Sequence, residues 1–173
     1  MSILRARVLV VGSQGCGKSA LVQTSHSGKY PQSYSMTLPA DYCVKSIDKL
    51  DMDTTVELHL IDISGADVMS PLIKPLMAEG DLIILCFDVT DRKSYTEAFE
   101  WLERIPDHFS GVLVGCKSDL PHLINQEEVQ HLSNETEFPF FPTSSLNGDV
   151  EGPFTHLANF WIQKFNTRAE QLH

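Results

Sequence analysis

A glycine-rich run near the start of the chain ends in a lysine and a serine, which is a pattern suited to binding phosphate. It reads Gly12-Ser13-Gln14-Gly15-Cys16-Gly17-Lys18-Ser19 and fits G-x-x-x-x-G-K-[ST]. Glycines let such a loop wrap so that successive backbone N–H groups point inward at phosphate oxygens. Lys18 then reaches the β- and γ-phosphates, and Ser19 offers a hydroxyl group to Mg²⁺. The alternative, a glycine-rich turn of structural use only, is disfavoured because a predicted strand precedes the loop and a predicted helix follows it.

A second phosphate-directed element, Asp62-Ile63-Ser64-Gly65, follows the predicted strand Val56 to Ile61. A carboxylate at this point can hold Mg²⁺ through its water, and the Gly65 N–H can approach a γ-phosphate without side-chain interference. A D-x-x-G pattern alone most often marks a turn. Its place one helix and one hairpin after the phosphate loop makes it a candidate nucleotide-binding element.

Two further motifs indicate which base is bound. Lys117 and Asp119 follow the predicted strand Val112 to Gly115 in a K-x-D arrangement. A carboxylate can accept from both N1–H and the 2-amino group of guanine, whereas adenine presents no such pair of donors. The run Thr143-Ser144-Ser145 follows the last predicted strand, where a backbone N–H can meet guanine O6. That run is the weakest of the four signals, since a short Thr/Ser run is usually a solvated loop.

The elements that must position these motifs predict an α/β fold, because short apolar runs alternate with helical patterns. Near-continuous runs predict parallel strands buried on both faces at Val8 to Val11, Leu82 to Phe87 and Val112 to Val114. The segments Tyr42 to Ile47 and Val56 to Ile61 predict an antiparallel hairpin at one side of the sheet. A last strand is predicted around Phe138 to Phe141.

Five helices are predicted between and after these strands. They cover Gly17 to about Ser25, about Met69 to Ala78, a stretch opened by a capping box at Ser94-x-x-Glu97, Gln126 to Leu132, and a final helix from near Pro153. In the final helix we assign Trp161 and Phe165 to the core. Phe160 lies off the main apolar face. A place at the rim of the core and a contact with a partner protein are equally favoured for it.

Composition limits the class of protein. The 173 residues predict one domain spanning 1–173, and 13 Lys+Arg against 23 Asp+Glu give a net charge of −10. That charge argues against nucleic-acid binding and against docking on anionic lipid. The four scattered cysteines predict reduced thiols and a cytosolic-type compartment. We expect no direct membrane anchor, because no apolar stretch is long enough to span a bilayer and no cysteine follows Cys116 for prenylation.

The four motifs, in this order and spacing, resemble those of the Ras-like small GTPases over essentially the whole chain. Segments such as Gln32-Ser33-Tyr34, Phe87-Asp88-Val89-Thr90 and Trp101-Leu102-Glu103 are similar to the Rab-like GTPases of the intraflagellar transport train. The resemblance implies a P-loop G domain: a mostly parallel six-stranded sheet with one antiparallel edge strand and helices on both faces. It implies GTP or GDP and Mg²⁺ as cofactors.

The resemblance also implies site residues. Thr37 matches the switch threonine that reports the γ-phosphate and ligates Mg²⁺, so the predicted metal ligands are Ser19, Thr37 and Asp62. The predicted nucleotide-binding set is Gly12, Ser13, Gln14, Gly15, Cys16, Gly17, Lys18, Ser19, Ala20, Thr37, Asp62, Gly65, Cys116, Lys117, Asp119, Ser144 and Ser145.

The chain departs from the family pattern at several positions. Ala66 stands where most Ras-like proteins carry a water-positioning glutamine, so we assign no catalytic residue and expect slow intrinsic hydrolysis. Gln14 replaces a common glycine and is expected to crowd the γ-phosphate. Cys116 replaces the asparagine that usually precedes the base-loop lysine, and the lost hydrogen bonds cost about 1 kcal/mol of nucleotide affinity. Leu146 replaces the lysine that usually follows Ser145, and Pro39 replaces the glycine of the first switch.

Three functions remain open on the sequence. The leading interpretation is a nucleotide-gated switch that is a subunit of the intraflagellar transport B complex in the cytoplasm and the cilium or flagellum. The resemblance implies a small β-sandwich partner and coiled-coil B-complex subunits. The second interpretation is a structural subunit whose nucleotide is a fixed part of the fold, and Ala66 favours it. The third, a nucleotide kinase, is disfavoured by the K-x-D motif and by the lack of a second basic phosphate clamp.

Overall fold

The computed structural model describes residues 2–33, 40–49, 52–65, 71 and 73–171. Strands and helices alternate along the chain, except that an antiparallel hairpin of two strands follows the first helix, as the apolar runs predict. The elements are β1 (Ser2–Gly12), α1 (Lys18–Ser27), β2 (Ala40–Lys49), β3 (Thr54–Ile63), α2 (Ile73–Glu79), β4 (Leu82–Asp88), α3 (Arg92–Leu102), β5 (Ser110–Cys116), α4 (Gln126–Thr136), β6 (Phe140–Pro142) and α5 (Glu151–Glu170).

The described strands form one six-stranded sheet in the order β2-β3-β1-β4-β5-β6. Every neighbouring pair is parallel except β2 and β3, which pair antiparallel at the edge. The predicted mostly parallel sheet with one antiparallel edge strand is therefore confirmed. Strand β6 begins two residues later than expected, at Phe140.

Two apolar cores lie on the two faces of the sheet, because the central strands are buried on both sides. Strand β4 is buried at every residue from Leu82 to Asp88, which explains its near-continuous apolar sequence. One core includes Leu21 of α1 and Phe154 of α5. The other includes Met77 of α2, Trp101 of α3 and Leu132 of α4. The sheet is thus covered by helices on both faces, as the resemblance implies.

The capping box predicted at Ser94 is wrong. Helix α3 begins at Arg92, and its N-cap is Asp91, whose side chain accepts a hydrogen bond from the Lys93 N–H. Ser94 is a buried residue of the first turn, and its hydroxyl oxygen accepts from the Asp88 N–H at 2.9 Å. An acidic residue three positions upstream supplied a better cap, which left Ser94 free for a tertiary contact.

The prediction for the final helix is partly wrong. Helix α5 begins at Glu151, close to the predicted start, and its ring at Phe165 is 53% exposed rather than core. Trp161 and Phe160 are half-buried and pack against the core cluster of that face. Phe165 lies in the last turns of α5, where every residue from 165 to 170 is exposed. No helix in the described part of the chain is long and apolar enough to cross a membrane.

Candidate nucleotide-binding site

The carboxyl ends of the parallel strands bring the four sequence motifs to one edge of the sheet. Strand register aligns Val10 of β1 with Asp62 of β3 and Gly12 of β1 with Cys86 of β4. Strand β3 lies on one side of β1 in the sheet, and β4 lies on the other side. Ligands of open α/β sheets bind at the point where the strand order reverses in this way. The site is therefore a consequence of topology as well as of motif.

The phosphate loop joins β1 to α1 through residues whose backbone favours glycine. Gly17, the N-cap of α1, has φ 118°, and a Cβ there would lie 2.9 Å from the Cys116 Cβ. Lys18 is 95% buried beneath the loop (5% exposed), and its ammonium group donates to the Gly12 and Ser13 carbonyl oxygens at 3.0 and 2.7 Å. Backbone N–H groups, a helix N-terminus and a buried cation are thus assembled around one loop, which suits an anionic ligand.

Gly65 lies directly against the phosphate loop. A Cβ at this position would come within 2.5 Å of the Gly12 carbonyl oxygen and the Ser13 carbonyl carbon. Only glycine therefore fits at this distance from the loop. The contact brings the D-x-x-G element to the side of the phosphate loop, where sequence reasoning expected it.

The contacts of Asp62 fit a divalent cation. Asp62 is 3% exposed, its Oδ2 accepts a hydrogen bond from the Ser19 hydroxyl group, and its buried Oδ1 has no hydrogen-bond partner among the described residues. Burial raises the pKa of this carboxyl group, against the lowering effects of Ser19 and Lys18. The described residues contain no cluster of three or more His, Cys, Asp or Glu side chains for a metal. Mg²⁺ fits such a site, since it is usually held by one or two protein ligands together with phosphate oxygens and water.

The base-directed loop is connected to the phosphate loop through Lys117. Its ammonium group donates to the Gly15 carbonyl oxygen at 3.0 Å and pairs with Asp88 Oδ2 at 2.6 Å. Burial alone would lower the pKa of Lys117, but the Asp88 carboxylate raises it overall. Burial likewise raises the pKa of Asp88, and the hydrogen bonds from Lys117 and Thr90 outweigh it, so this pKa is lowered. Both groups are therefore charged around neutral pH.

Asp119 is held at the mouth of the site by the Thr/Ser run. Its Oδ1 accepts a hydrogen bond from the Ser144 hydroxyl group at 2.6 Å. The two loops are also joined through their backbones, since the Ser118 N–H donates to the Thr143 carbonyl oxygen at 3.0 Å. Ser144 is buried, whereas Asp119 is exposed and available to a ligand. The weakest sequence motif thus has a specific use, which is to orient the carboxylate.

A cavity of about 330 Å³ lies between these loops. Ten residues of the predicted set line it: Gln14, Gly15, Gly17, Lys18, Ser19, Ala20, Gly65, Lys117, Asp119 and Ser145. Six predicted residues do not line it: Gly12, Ser13, Cys16, Asp62, Cys116 and Ser144. Ser13, Cys16 and Cys116 are buried, with side chains directed into the protein. The cavity is large enough for a nucleotide-sized ligand.

Two predicted residues, Thr37 and Ala66, lie outside the described residues, as does Pro39. Their expected roles at the γ-phosphate and the attacking water stay predictions. Gln14 is exposed at the cavity wall.

Sequence reasoning missed several residues at the site. Tyr30, Leu120 and Leu146 line the cavity and are exposed, so they present apolar surface around a ligand. Of these, the sequence analysis names Leu146, but only as a departure from the family pattern. No local pattern marks Tyr30, since it lies in a loop after α1. Asp88 carried a usable signal, because it is a carboxylate that ends a fully apolar strand at the edge where the motifs meet.

The fold and the arrangement of the loops agree with sequence comparison. The sequence model of the Ras family matches residues 7–163. The chain belongs to the Ras family of small GTPases. Members of this family bind guanine nucleotides, typically with Mg²⁺.

Within this family the chain is similar to intraflagellar transport protein 27 over nearly its full length. It is 30% identical to the intraflagellar transport protein 27 homolog of Mus musculus, over 98% of this chain and 97% of the mouse protein. It is 29% identical to the homolog of Trypanosoma brucei brucei, over 98% of this chain and 96% of that protein. It is 30% identical to intraflagellar transport protein 27 of Chlamydomonas reinhardtii, over 96% of this chain and 88% of that protein.

Proposed function

We propose that this chain is a single G domain spanning residues 1–173 that binds GTP and GDP with Mg²⁺ and hydrolyses GTP slowly. One observation carries the proposal: the K-x-D loop and the phosphate loop meet around one cavity, joined by the Lys117 to Gly15 hydrogen bond. This arrangement lets one ligand contact a phosphate-binding loop at one end and a guanine-directed carboxylate at the other.

Each contact has a defined role in the proposed site. Lys18 and the loop N–H groups hold the β- and γ-phosphates, and Ser19 and Asp62, with Thr37 by resemblance, hold Mg²⁺. Bound Mg²⁺ would neutralise charge that develops on the phosphate oxygens. Asp119 accepts from guanine N1–H and the 2-amino group. Gly65 lies close enough to the phosphate loop for its N–H to report a γ-phosphate, which is how nucleotide state would reach a partner.

The first experiment identifies the nucleotide that copurifies with the protein, and we expect it to be a guanine nucleotide.

The second experiment measures single-turnover GTP hydrolysis and tests slow turnover. Ala66→Gln should raise the hydrolysis rate about tenfold. The reason is that one added hydrogen bond to the attacking water is worth about 1–1.5 kcal/mol. The gain requires that Thr37 and Asp62 still hold Mg²⁺ and the water correctly.

The matched control is Ala78→Gln, which makes the same change at an exposed position of α2 and should leave hydrolysis unaltered. Fast turnover by the wild-type protein would contradict the proposal of slow hydrolysis. Adenine nucleotide in the purified protein would contradict the assignment of the base.

A structural subunit with no nucleotide cycle is the second candidate, and Ala66 is the observation that favours it. The two candidates differ in exchange and hydrolysis. A nucleotide that neither exchanges nor is hydrolysed over hours would support the structural subunit. Exchange that a partner accelerates would support the switch.

We further propose that the chain acts in intraflagellar transport, in the cytoplasm and the cilium or flagellum. The similarity to intraflagellar transport protein 27 over nearly the full chain supports this role. The proposed partners are a small β-sandwich protein, which forms a heterodimer with this chain, and coiled-coil subunits of the B complex. The aromatic residues of α5 supply a candidate contact surface, because Phe165 is 53% exposed beside half-buried Trp161 and Phe160.

Phe160→Ala is expected to weaken association with the β-sandwich partner about thirtyfold while leaving GTP affinity unchanged. The reason is that truncating a buried interface aromatic costs about 2 kcal/mol or more. Lys164 lies over the rings of Phe160 and Trp161, with its Nζ 6.0 Å from the first ring centroid and 5.4 Å from the second. Titration calorimetry of the purified pair measures the effect.

Phe165→Ala tests the same surface at an exposed ring, where loss of core packing does not enter. Gln163→Ala, at an exposed polar position of the same helix, is the matched control and should bind normally. Equal affinity of the wild type and both aromatic variants would exclude this surface as the contact.

A further inference from the structure

A buried carboxylate outside the four nucleotide-directed motifs lies next to the base-directed loop. Asp88 ends β4, and its side chain is 7% exposed. Its carboxylate makes several polar contacts: Lys117 pairs with Oδ2 at 2.6 Å, and the Thr90 N–H and hydroxyl group donate to Oδ1 at 2.8 and 2.6 Å. A buried charge with this many partners is held in one orientation.

Lys117, the partner of this carboxylate, must have its side chain held in place by contacts with other residues. Lys117 has φ 61°, a left-handed backbone conformation that is strained for a residue with a side chain. Its ammonium group is shared between Asp88 and the Gly15 carbonyl oxygen, and its stem lines the cavity. The direction of the ammonium group therefore decides whether the two ligand-binding loops stay joined.

The neighbouring residue does not supply that junction. Cys116 is 3% exposed, and its thiol is hydrogen-bonded to Cys86 and Thr143 rather than to the phosphate loop. An amide at this position has two donors and an acceptor, whereas a thiol is a weak donor and a weak acceptor. The Lys117 side chain does make such a hydrogen bond, because its ammonium group donates to the Gly15 carbonyl oxygen of the phosphate loop.

The same strand end is tied to the phosphate loop by a second route. The Asp88 N–H donates to the Ser94 hydroxyl oxygen at 2.9 Å, and Ser94 Oγ is 2.6 Å from Ser13 Oγ in a buried hydrogen bond. The backbone of Asp88 is thus connected to Ser13 of the phosphate loop through Ser94, and its carboxylate is connected to Gly15 of the same loop through Lys117.

We propose that Asp88 is a positioning residue for nucleotide retention, which orients Lys117 so that the base-directed loop stays joined to the phosphate loop. This role rests on the proposed function, since it concerns the same site. Loss of the carboxylate leaves the Lys117 ammonium group free to leave Gly15. The two loops then separate more often, and bound nucleotide escapes faster.

The test is the dissociation rate of a fluorescent GDP analogue in excess unlabelled GDP. Asp88→Asn should dissociate ten- to hundredfold faster than the wild type, as expected for loss of a charge-assisted hydrogen bond. Asp107→Asn makes the same change in charge in the exposed loop between α3 and β5, and it should match the wild type. If Asp88→Asn does not fold, Thr90→Val removes only one donor to the carboxylate and should give about a three- to fivefold effect.

A double-mutant cycle separates positioning from a general loss of stability. In a Lys117→Ala background, adding Asp88→Asn should change the dissociation rate less than about twofold, because the residue that Asp88 orients is gone. An equal effect of Asp88→Asn in both backgrounds would overturn the positioning role. So would a dissociation rate of the Asp88→Asn single variant equal to that of the Asp107→Asn control. A wild-type protein that retains no guanine nucleotide would instead overturn the proposed function, and this role with it.

Discussion

Lys18→Ala is expected to lower the affinity for GTP and GDP by at least about a hundredfold. Lys18 supplies the charge beneath the phosphate loop, where its ammonium group lies 3.0 and 2.7 Å from the Gly12 and Ser13 carbonyl oxygens. Hydrogen bonds to charged groups are worth about 1.5–3 kcal/mol each, so the loss of the two that the ammonium group would make to the β- and γ-phosphates accounts for the effect. Equilibrium titration with a fluorescent guanine nucleotide measures it.

Lys93→Ala is the matched control, since it removes the same charge from a side chain that is 82% exposed in α3. Lys18→Met keeps the apolar stem of the buried side chain and guards against a loss of folding, which the unfolding temperature reports. Tight nucleotide binding by both folded Lys18 variants would show that the loop does not bind phosphate as proposed.

Asp119→Asn is expected to lower guanine nucleotide affinity about a hundredfold and to create a preference for xanthine nucleotides. The amide offers a carbonyl oxygen and an N–H₂ group to a base with the opposite donor and acceptor pattern, while its oxygen can still accept from the Ser144 hydroxyl group. A site built to hydrogen-bond a base discriminates strongly because a mismatch leaves polar groups unpaired. Competition binding with GTP, XTP and ATP measures the change.

Asp149→Asn is the matched control, because the backbone of Asp149 pairs with Ser144 while its side chain is exposed. It should leave the base preference unchanged. ATP that displaces labelled GTP from the wild-type protein as well as GTP does would disprove the assignment of the base to guanine.

The class of fold and the phosphate loop were predictable because their signals are local. Apolar runs such as Leu82 to Phe87 report burial on both faces, and the confirmed hairpin was predicted from the alternation of apolar and polar residues over Val56 to Leu60. The glycines of the phosphate loop are dictated by backbone conformation, as the φ of 118° at Gly17 illustrates. These features depend on neighbours within one element, which a sequence displays directly.

The predictions for Ser94 and Phe165 were wrong because both depend on contacts with other helices and strands of the fold. Ser94 fits a capping pattern, yet its hydroxyl group is used by Ser13, 81 residues away in sequence. Phe165 continues the apolar face of α5, yet its ring is 53% exposed at an end of the helix where the neighbouring residues are exposed as well. Periodicity reports which face of a helix is apolar, but where that face finds a partner depends on the position of the other elements.

The phosphate loop, the K-x-D loop and an α/β sheet able to carry both can be predicted from the order of the amino acids alone. The way in which the two loops are joined is visible only in the folded protein: Lys117 reaches Gly15 across 102 residues, Ser144 orients Asp119, and the carboxylate of Asp88 anchors Lys117. A buried polar group must find its hydrogen-bond partners in space, because leaving it unpaired away from water is costly. Strand order and register, rather than distance along the chain, bring those partners together.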